Sequence, residues 1–490
     1  MSGLFGVVSK KGGNCASTLF YGVDYHSHLG TEFGGLAILG KEFKRQIHSI
    51  AQTQFKSKFF DDIKHMEGTK GIGVISDSDE QPIYFNSKHG PFCLVTAGLI
   101  ENKENLRDDC FRKNVSFCEV SLSGVNVTEL IGKMISLGDN FIDGIEKMFD
   151  EIEGSCSFLL LHKDGIYAVR DRFGYTPLAI GEKDNEWAVA LETSSLINLG
   201  FKIKKFLEPG EIVLITENGL VTKKPGLAQK QICSFLWIYT GFPASHYENI
   251  NVELVRERCG KALAKKDKDI DVDVVCGVPD SGTAHAIGYA MESKKPFRRP
   301  LIKYTPGYGR SYTPPSQEIR DLVATMKLIA INDIIKGNRI VVCEDSIVRG
   351  TQLKNYTVKK LWDAGAKEIH VRPACPPLMY PCKFCLSTRS ISELSARKAI
   401  KAIEGHDIED ISEYLDPTTE KHKKMVAWIV KDLEVTSIRF QSLEDMIEAI
   451  GLPREKLCVY CWTGDSGAPK KDSAKVRNLP PKNLKKKKSR

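Results

Sequence analysis

The sequence predicts two folded domains, an α+β domain followed by an α/β domain with a parallel sheet, and three observations support this. The chain has 490 residues, 42% of them hydrophobic and 27% charged, and this length and ordinary composition suit two or three globular domains. Through about residue 225, short apolar runs alternate with Gly, Asp and Lys boundaries. From about residue 250, helix-like and strand-like segments alternate, which is typical of an open parallel sheet.

Short strands and two helices account for the first domain. The strand segments are apolar and rich in β-branched residues, whereas the helix segments carry apolar residues at helical spacing. The predicted strands are GLFGVVSK, FGGLAILG, GIGVISDS, SCSFLLLHKDGIYAVRD and WAVALE, and the predicted helices are TELIGKMISLG and NFIDGIEKMFDEIEG.

The second domain follows the segment LEPGEIVLITENGL, where the pattern changes. Its predicted elements are a helix, NVELVRERCGKALAKK, and four buried strands, DVDVVCGVPD, RRPLIKY, NRIVVCEDS and EIHVRPAC. Strands that alternate with helical crossovers indicate a parallel sheet. We place the domains at residues 1–228 and 229–465, with a C-terminal tail at 466–490.

The positive charge of the chain is concentrated in the tail. The formal net charge is +8, and residues 470–490 hold ten Lys or Arg and one Asp, so this stretch contributes +9 and the rest of the chain −1. We therefore expect no nucleic-acid binding except through the tail. The tail is too polar and too often interrupted by Pro to form a core, and it is predicted to be disordered, either as a solvated appendage or as a site for an acidic partner.

The length of the apolar runs and the N-terminal sequence predict the cellular compartment, which in turn predicts the state of the cysteines. No apolar run reaches the roughly 20 residues of a membrane span, and the N-terminus lacks the layout of a signal peptide, so we expect no membrane association and a cytoplasmic protein. The fourteen cysteines are then expected to be reduced thiols or metal ligands, because disulfide frameworks belong to oxidising compartments.

Residues 339–365 carry the sharpest chemical pattern. A strand, Ile340 to Cys343, leads to two carboxylates, Glu344 and Asp345, and then to a loop of mostly small residues at 346–351 that opens a helix. The N–H groups at the start of a helix bind anions, and paired carboxylates accept hydrogen bonds from ribose hydroxyls or ligate a divalent metal. The pattern predicts a site for a phosphorylated ribose; the alternative is an ordinary polar loop after a strand.

The motif EDSIVRGT resembles the phosphoribosyl pyrophosphate (PRPP) motif of type I phosphoribosyltransferases, most closely that of the glutamine PRPP amidotransferase family. That family usually has Asp-Asp where this chain has Glu344-Asp345. GVPDSGTAHAIGYA is similar to the family's pyrophosphate loop, and LIKYTPGYGRSYTPPSQEIRDLVATMKL is similar to its mobile loop. The resemblance implies an α/β type I phosphoribosyltransferase domain for the second half of the chain.

The resemblance also implies which residues bind PRPP. They are Ser281, Lys303, Arg310, Glu344, Asp345, Ser346, Arg349, Gly350 and Thr351. Within this set, Mg²⁺ is expected at Ser281, Glu344 and Asp345. Gln317, Arg320 and Lys327 also keep register with polar positions of the mobile loop. Basic side chains on such a loop would neutralise the leaving pyrophosphate and help to exclude water.

Four cysteines match the iron–sulfur branch of the same family. Spacing alone cannot select the four, although Cys458 and Cys461 form a Cys-x-x-Cys pair, CVYC. The resemblance selects Cys233, Cys382, Cys458 and Cys461. Four thiolates suit a [4Fe–4S] cluster, and tetrahedral Zn²⁺ is the alternative occupant. Such a site would tie the domain junction to the C-terminal helices. Cys385 forms a second Cys-x-x-Cys pair with Cys382 and competes as a ligand.

The first domain resembles the family's N-terminal-nucleophile glutaminase domain, an α+β Ntn-hydrolase-like sandwich of the class II glutamine amidotransferase type. MSGLFG is similar to Met-Cys-Gly-Ile-Phe-Gly, so Ser2 stands at the position of the nucleophilic cysteine. An N-terminal Ser exposed by removal of Met1 would carry its own amine as a base. The alternatives are that Ser2 only permits this removal, or that it is a relic of the nucleophile.

Four further positions depart from the family pattern. Leu29 and Ser76 stand where the resemblance places glutamine-contacting arginines, Ala97 where it places the oxyanion-hole Asn, and Val127 where it places the Asp that binds the glutamine amine. Loss of one oxyanion donor costs about 3 kcal/mol of barrier. A hydroxyl is also a weaker nucleophile than a thiol. We therefore predict a degenerate domain without glutaminase activity.

The resemblance implies an amidophosphoribosyltransferase activity, which forms 5-phosphoribosylamine from PRPP in purine biosynthesis. Because the glutamine site is predicted lost, ammonia or another small amine would be the nitrogen donor, and a separate glutaminase is a possible partner. The alternatives are a non-catalytic paralogue that binds PRPP or nucleotides and regulates a partner, and a phosphoribosyltransferase with a different acceptor. The resemblance further implies a homo-oligomer.

Overall fold

Two stacked antiparallel sheets form the first part of the molecule. The computed structural model describes residues 2–119, 121, 124–304, 328–385, 388 and 390–467. The first sheet has seven strands in the order β11-β9-β10-β1-β4-β2-β3 and the second has six in the order β13-β12-β8-β7-β6-β5. The strands are β1 (Gly3–Ser9), β2 (Phe33–Leu39), β3 (Phe43–Ser49), β4 (Lys70–Ser76), β5 (Ile83–Ser87), β6 (Gly90–Ile100), β7 (Gly154–His162), β8 (Gly165–Val169), β9 (Ala179–Lys183), β10 (Glu186–Ala190), β11 (Lys202–Phe206), β12 (Ile212–Thr216) and β13 (Gly219–Lys224).

The core of this part lies between the two sheets. Leu4 and Val74 of the first sheet and Leu159 and Ile166 of the second are fully buried in one hydrophobic cluster. The outer faces are covered as well, by helices Ala16–Asp24, Phe55–Phe59 and Thr193–Asn198 on the first sheet and Lys103–Arg112, Val127–Leu137 and Phe141–Glu151 on the second. Because both faces of each sheet are packed, the central strands are near-continuous apolar runs rather than alternating ones.

A four-stranded parallel sheet forms the second part. Its order is β17-β20-β21-β22, and β17 pairs with β20 in the register Val275↔Val341. The strands are β17 (Val274–Gly277), β20 (Arg339–Glu344), β21 (Glu368–Pro373) and β22 (Ser437–Ile438). Helices Val252–Lys266 and Thr283–Ser293 cover one face, and Ser395–Glu404, Glu420–Leu433 and the helix at 351–363, which contains a π-helical turn at Leu353–Val358, cover the other.

The segment RRPLIKY differs from the prediction. It forms β18 (Leu301–Lys303), which pairs antiparallel with β19 (Leu328–Ala330) in a separate two-stranded ribbon instead of joining the parallel sheet. Leu301 is buried, whereas Lys303 is exposed. A two-stranded ribbon at the surface needs only one buried apolar residue, here Leu301, whereas a central parallel strand needs apolar residues on both faces.

Short elements complete the fold. Two strand pairs lie near the junction of the two parts: β14 (Ile232–Cys233) with β23 (Leu457–Cys458), and β15 (His246–Tyr247) with β16 (Ile250–Asn251). A π-helical turn spans Leu236–Thr240. The remaining helices and 3-10 turns are Asp62–His65, Asn332–Ile335, Ile391–Glu393, Ser412–Leu415, Leu443–Ile450, Arg454–Lys456 and Tyr460–Thr463. Among the helices that the structure describes, none combines the length and apolar character of a membrane crossing.

The domain boundaries at residues 228 and 465 stay predictions, as does the state of the tail, because residues 468–490 lie outside the described residues.

Candidate functional site

The acidic pair lies at the carboxyl end of β20. Glu344 is the last residue of the strand, and both Glu344 and Asp345 are nearly buried, at 8% and 6% exposure. Ser281 Oγ donates a hydrogen bond to Glu344 Oε1 at 2.8 Å, and the Asp345 N–H donates to the same oxygen at 3.0 Å. Burial, together with the neighbouring Asp345 carboxylate, raises the pKa of Glu344 well above its usual range. A cation or a set of hydroxyl donors at this point would relieve that electrostatic cost.

The predicted pyrophosphate loop packs tightly against the same strand end. It connects β17 to the helix Thr283–Ser293, and the peptide between Pro279 and Asp280 is cis. The Val278 N–H donates to the Cys343 carbonyl at 3.0 Å. A Cβ on Gly282 would stand 2.1 Å from that same carbonyl oxygen. Only glycine therefore allows the loop to lie this close, and the close approach brings Ser281 to the acidic pair.

The predicted 5-phosphate loop leads from the acidic pair to a helix that begins at residue 351. Ser346 Oγ donates to Asp345 Oδ1 at 2.5 Å. Gly350 has a φ of 77°, a left-handed conformation that favours glycine, and Thr351 is exposed at the start of the helix. Arg349 is exposed and pairs with Glu393 at 2.9 Å. The loop thus rises from a buried carboxylate pair to a solvent-facing helix N-terminus, where an anion can bind.

The structure gathers most of the predicted PRPP residues. Ser281, Glu344, Asp345 and Ser346 are linked by hydrogen bonds, whereas the Arg349 side chain turns to Glu393. Lys303 Nζ lies 2.9 Å from Asp280 Oδ2 of the pyrophosphate loop. Arg310, Gln317, Arg320 and Lys327 lie outside the described residues.

Three buried polar residues near this site were missed by the sequence reasoning. Arg256 and His285 lie on the two helices that cover one face of the parallel sheet, and Glu192 lies in the first part of the molecule. Each reads in the sequence as an ordinary polar residue. No local pattern marks them, because their partners come from distant segments.

All five candidate cysteine ligands are buried near the junction of the two parts. Cys233 and Cys458 are register partners in the parallel pair β14–β23. Cys461 follows on the helix Tyr460–Thr463. The remaining two, Cys382 and Cys385, lie on a loop whose Phe384 ring stacks on Tyr175 at 4.1 Å between centroids.

The cysteine thiols interact with one another. The Cys385 thiol lies within hydrogen-bonding reach of Cys233 and Cys382, and the Cys461 thiol within reach of Cys382. These thiol contacts, together with burial, raise the pKa of Cys385 and Cys461 well above the usual range. The N–H groups of Phe384 and Cys385 both donate to Cys382 Sγ at 3.4 Å, a pattern that stabilises a thiolate.

Within the described part of the chain, no group of three or more His, Cys, Asp or Glu side chains is arranged to hold a metal ion.

Ser2 lines a cavity of about 280 Å³ in the first part of the molecule. Asp79, Gln81, Thr96 and Val127 line the same cavity, and Pro381, Cys382 and Lys383 of the cysteine loop form one wall. The main-chain N–H of Leu99, on β6, donates to the Phe384 carbonyl at 2.8 Å. The cavity is therefore bounded by both parts of the molecule.

Two polar side chains of the cavity, Gln81 and Asp79, are hydrogen-bonded to other residues of the first part. Gln81 Oε1 accepts from the Thr96 N–H at 2.7 Å and from Thr128 Oγ1 at 3.1 Å, and its Nε2 donates to Ser76 Oγ at 3.3 Å. Asp79 Oδ2 accepts from the Val127 N–H at 3.2 Å. Of these residues, only Ser76 and Val127 were named from the sequence.

The four departures from the glutaminase pattern occupy ordinary structural positions. Leu29 and Ala97 are buried in the core between the sheets. Ser76 ends β4 and is fully buried, and Val127 begins the helix Val127–Leu137. None of these four side chains can donate a charged hydrogen bond to a substrate.

Comparison with known proteins gives a consistent result along the whole chain. A model of the glutamine amidotransferase domain matches residues 70–198. The amidophosphoribosyltransferase of Methanocaldococcus jannaschii is 30% identical and covers 95% of this chain and 97% of its own length. The amidophosphoribosyltransferase of Bacillus subtilis is 28% identical over 94% of this chain and 93% of its own length.

A solved structure agrees with the sequence relatives. The glutamine PRPP amidotransferase of B. subtilis, complexed with ADP and GMP, superposes with a TM-score of 0.80 at 27% identity and covers 94% of this chain and 96% of its own. This likeness confirms the predicted fold class, an Ntn-type glutaminase domain followed by a type I phosphoribosyltransferase domain with a parallel sheet. The full-length similarity at 30% identity, together with this shared fold, shows that the chain belongs to the amidophosphoribosyltransferase family.

Proposed function

We propose that the protein transfers the 5-phosphoribosyl group of PRPP to ammonia or a small amine, with release of pyrophosphate. The observation that carries this proposal is the hydrogen bond from Ser281 to Glu344, because it joins the pyrophosphate loop to the acidic pair. Both lie at the carboxyl ends of neighbouring parallel strands, where ligands bind in open α/β sheets. Membership of the amidophosphoribosyltransferase family supports the same reaction.

Each part of the site has a role in this reaction. Glu344 and Asp345 accept hydrogen bonds from the ribose hydroxyls, the loop at 346–351 and the helix behind it hold the 5-phosphate, and Ser281 lies beside the pyrophosphate. Ser281, Glu344 and Asp345 would hold Mg²⁺, since their oxygens suit a hard cation that neutralises pyrophosphate charge. The C1–O bond to pyrophosphate breaks, a C1–N bond forms, and the amine loses a proton to water.

The nitrogen donor follows from the state of the first domain. Ser2 replaces the expected thiol, and Leu29, Ser76, Ala97 and Val127 supply neither the ionic contacts nor the oxyanion donor that glutamine hydrolysis needs. Glutaminase activity is therefore proposed to be absent. Ammonia from solution, or from a separate glutaminase, would serve instead.

The cysteine group supports a structural [4Fe–4S] cluster at Cys233, Cys382, Cys458 and Cys461. These residues are buried together, and the two N–H groups directed at Cys382 Sγ suit a ligating thiolate. We place Cys385 as the neighbouring fifth thiol and Zn²⁺ as the alternative occupant.

The reaction is tested by measuring pyrophosphate release from PRPP and Mg²⁺ with either ammonium chloride or glutamine, at mildly alkaline pH where more free ammonia is present. We expect release with ammonium and none above background with glutamine. Asp345→Asn should reduce the ammonium-dependent rate by at least tenfold, whereas Ser2→Ala should leave it unchanged. Release with glutamine at a comparable rate would overturn the lost-glutaminase proposal. Release with neither would overturn the proposed transfer to ammonia and favour the non-catalytic paralogue or a different acceptor.

The cluster is tested by anaerobic purification followed by iron, acid-labile sulfide and zinc analysis. We expect about four irons and four sulfides per chain and broad visible absorption. Cys458→Ser should abolish both, whereas Cys385→Ser should retain them. Zinc without sulfide would establish the alternative occupant, and loss of the cluster in Cys385→Ser would make Cys385 a ligand.

A further inference from the structure

We infer that the first domain, whatever its own chemistry, positions the two PRPP loops through a buried polar connection across the domain junction. This interdomain bridge comprises Glu192, residues 236–247, Arg256 and His285. The inference rests on the proposed function and deepens it, because it gives the degenerate domain a part in phosphoribosyl transfer.

Glu192 forms the first end of the bridge. Its carboxylate is fully buried and accepts hydrogen bonds from the Tyr247 hydroxyl at 2.8 Å, the Phe242 N–H at 3.3 Å and Ser245 Oγ. His28 Nε2 lies 3.0 Å from the same carboxylate. Three of these four partners belong to residues 242–247, so one side chain of the first domain holds this segment at three points.

Arg256 forms the second end. It is only 4% exposed and donates to the carbonyls of Trp237 and Tyr239 at 2.9 Å and of Gly241 at 2.8 Å. These carbonyls belong to the π-helical turn and its C-terminal end, directly before the segment that Glu192 binds. The turn is therefore held from both sides, by a carboxylate on one and a guanidinium on the other.

The charge of Arg256 also interacts favourably with the Asp345 carboxylate of the acidic pair. Arg256 forms no ion pair within the part of the chain that the structure describes, and Asp345 is the carboxylate that most strongly favours its charge. Burial lowers the pKa of Arg256, and Asp345 opposes that effect. The guanidinium thus holds the turn through hydrogen bonds, and its charge is stabilised by Asp345.

His285 connects the bridge to the pyrophosphate loop. It is fully buried on the helix that follows the loop, with Nδ1 3.1 Å from the Arg256 carbonyl and Nε2 3.3 Å from the Ile238 carbonyl. Glycines let the helices come this close, since a Cβ on Gly260 would stand 1.9 Å from the His285 carbonyl oxygen. A displacement of the turn would therefore reach both Asp345 and the loop that carries Ser281.

Glu192 and Arg256 are thus positioning residues, because neither lies among the residues assigned to PRPP. The test compares Glu192→Gln with the control Glu182→Gln, which alters a partly exposed carboxylate of the same domain that pairs with Lys10 and Lys204. We expect Glu192→Gln to lower kcat/KM for PRPP in the ammonium-dependent reaction by at least tenfold, and Glu182→Gln to change it less than twofold. Tyr247→Phe, which removes a single donor to Glu192, serves if Glu192→Gln fails to fold, with a two- to fivefold loss expected.

Hydrogen exchange separates positioning from general loss of stability. In Glu192→Gln or Tyr247→Phe, amide exchange should accelerate at residues 277–290 and 344–353 and stay unchanged in β7 and β12. The double variant Glu192→Gln/Arg256→Lys should show a smaller fold-loss of activity than the product of the fold-losses of the two single variants. Both residues act through the same turn, so their effects are not independent. Unchanged exchange at the PRPP loops, or losses that multiply, would overturn the inference.

The exchange measurement also keeps the two proposals distinct. If the wild-type protein releases no pyrophosphate, the proposed function fails, whereas the effect of Glu192 on the loops is still measured. If the wild type is active and the exchange pattern does not change, the bridge alone fails.

Discussion

His26 is a single buried residue whose protonation state is fixed by its partners. It is fully buried beside β1, its Nε2 accepts the Glu192 N–H at 3.1 Å, and its Nδ1 lies 2.8 Å from the Gly22 carbonyl. Because Nε2 accepts, the proton of the neutral ring sits on Nδ1 and is donated to Gly22. Burial lowers the pKa of His26 from 6.5 to about 4.

The lowered pKa predicts a loss of stability in mild acid. The unfolded chain takes up a proton at His26 as pH falls through 6.5, whereas the fold resists it until about pH 4. The contribution of His26 to the free energy of unfolding is therefore fully present above pH 6.5, and it falls by about 3 kcal/mol between pH 6.5 and pH 4. Urea unfolding across this range should show that loss, and a shallower pH dependence in His26→Gln; an equally steep dependence in the variant would contradict the assignment.

Single residues also show where sequence reasoning succeeds and where it stops. The acidic doublet and Ser281 are found from the sequence because each belongs to a local motif at a strand end. Glu192, Arg256 and His285 are not found, because their acceptors and donors are brought together only by the tertiary fold. A buried polar residue is identified by its partners, which the local sequence does not contain.

At the scale of elements, the helix Val252–Lys266 is stabilised by its N-cap residue, Asn251. The Asn251 side chain accepts from the Leu254 N–H at 3.1 Å, and its Nδ2 donates to the carbonyls of Pro243 and Ser245 at 3.2 Å. The cap thus fixes both the helix that carries Arg256 and the loop that precedes it.

Removing this cap should weaken the element. Asn251→Ala leaves the Leu254 N–H without its acceptor, and we expect the free energy of unfolding to fall by about 1 kcal/mol, measured by urea denaturation. Asn251→Asp keeps the acceptor and adds a negative charge at the helix N-terminus, so it should lose less. Equal losses in the two variants would show that the Nδ2 contacts, not the cap, carry the effect.

The elements themselves were partly predictable. The helices Phe141–Glu151 and Val252–Lys266 and the strands β1, β17 and β20 fall within the predicted segments, and the helix Val127–Leu137 and the strands β4 and β7 each begin one residue before theirs. The prediction of two helices in the first domain was wrong, because Ala16–Asp24, Lys103–Arg112 and Thr193–Asn198 are helices as well. The segment RRPLIKY was predicted as a strand and is one, but its sheet was predicted wrongly. Propensity and periodicity report strand character, whereas sheet membership depends on which neighbour buries Leu301.

At the scale of the whole molecule, the two parts are joined by a buried ion pair. Arg170 has a fully buried side chain in the first part, and its Nη1 lies 2.8 Å from Glu248 Oε1 of the second. Arg170 also donates to the carbonyl of Gly174 at 2.8 Å and to that of Leu207. Lys230, in the connection between the parts, binds Glu248 Oε2 at 2.9 Å.

Breaking this pair should destabilise the molecule as a whole. Glu248→Ala leaves the Arg170 charge buried without its carboxylate, and we expect a loss of about 3 kcal/mol in urea unfolding. Glu208→Ala is the matched control, because Glu208 also pairs with Lys230 but is half exposed, and a loss below about 1 kcal/mol is expected. Similar losses in the two variants would contradict a special role for the buried pair.

The interdomain bridge has a consequence for protein engineering. A chimera made by transplanting the glutaminase domain of a relative onto the second part of this chain would need more than a catalytic cysteine. It would also have to supply a carboxylate at position 192 that fits Tyr247 and Ser245 of the recipient. A transplanted domain selected only for its glutamine site would hydrolyse glutamine, but without the carboxylate at position 192 it would impair phosphoribosyl transfer in the second domain.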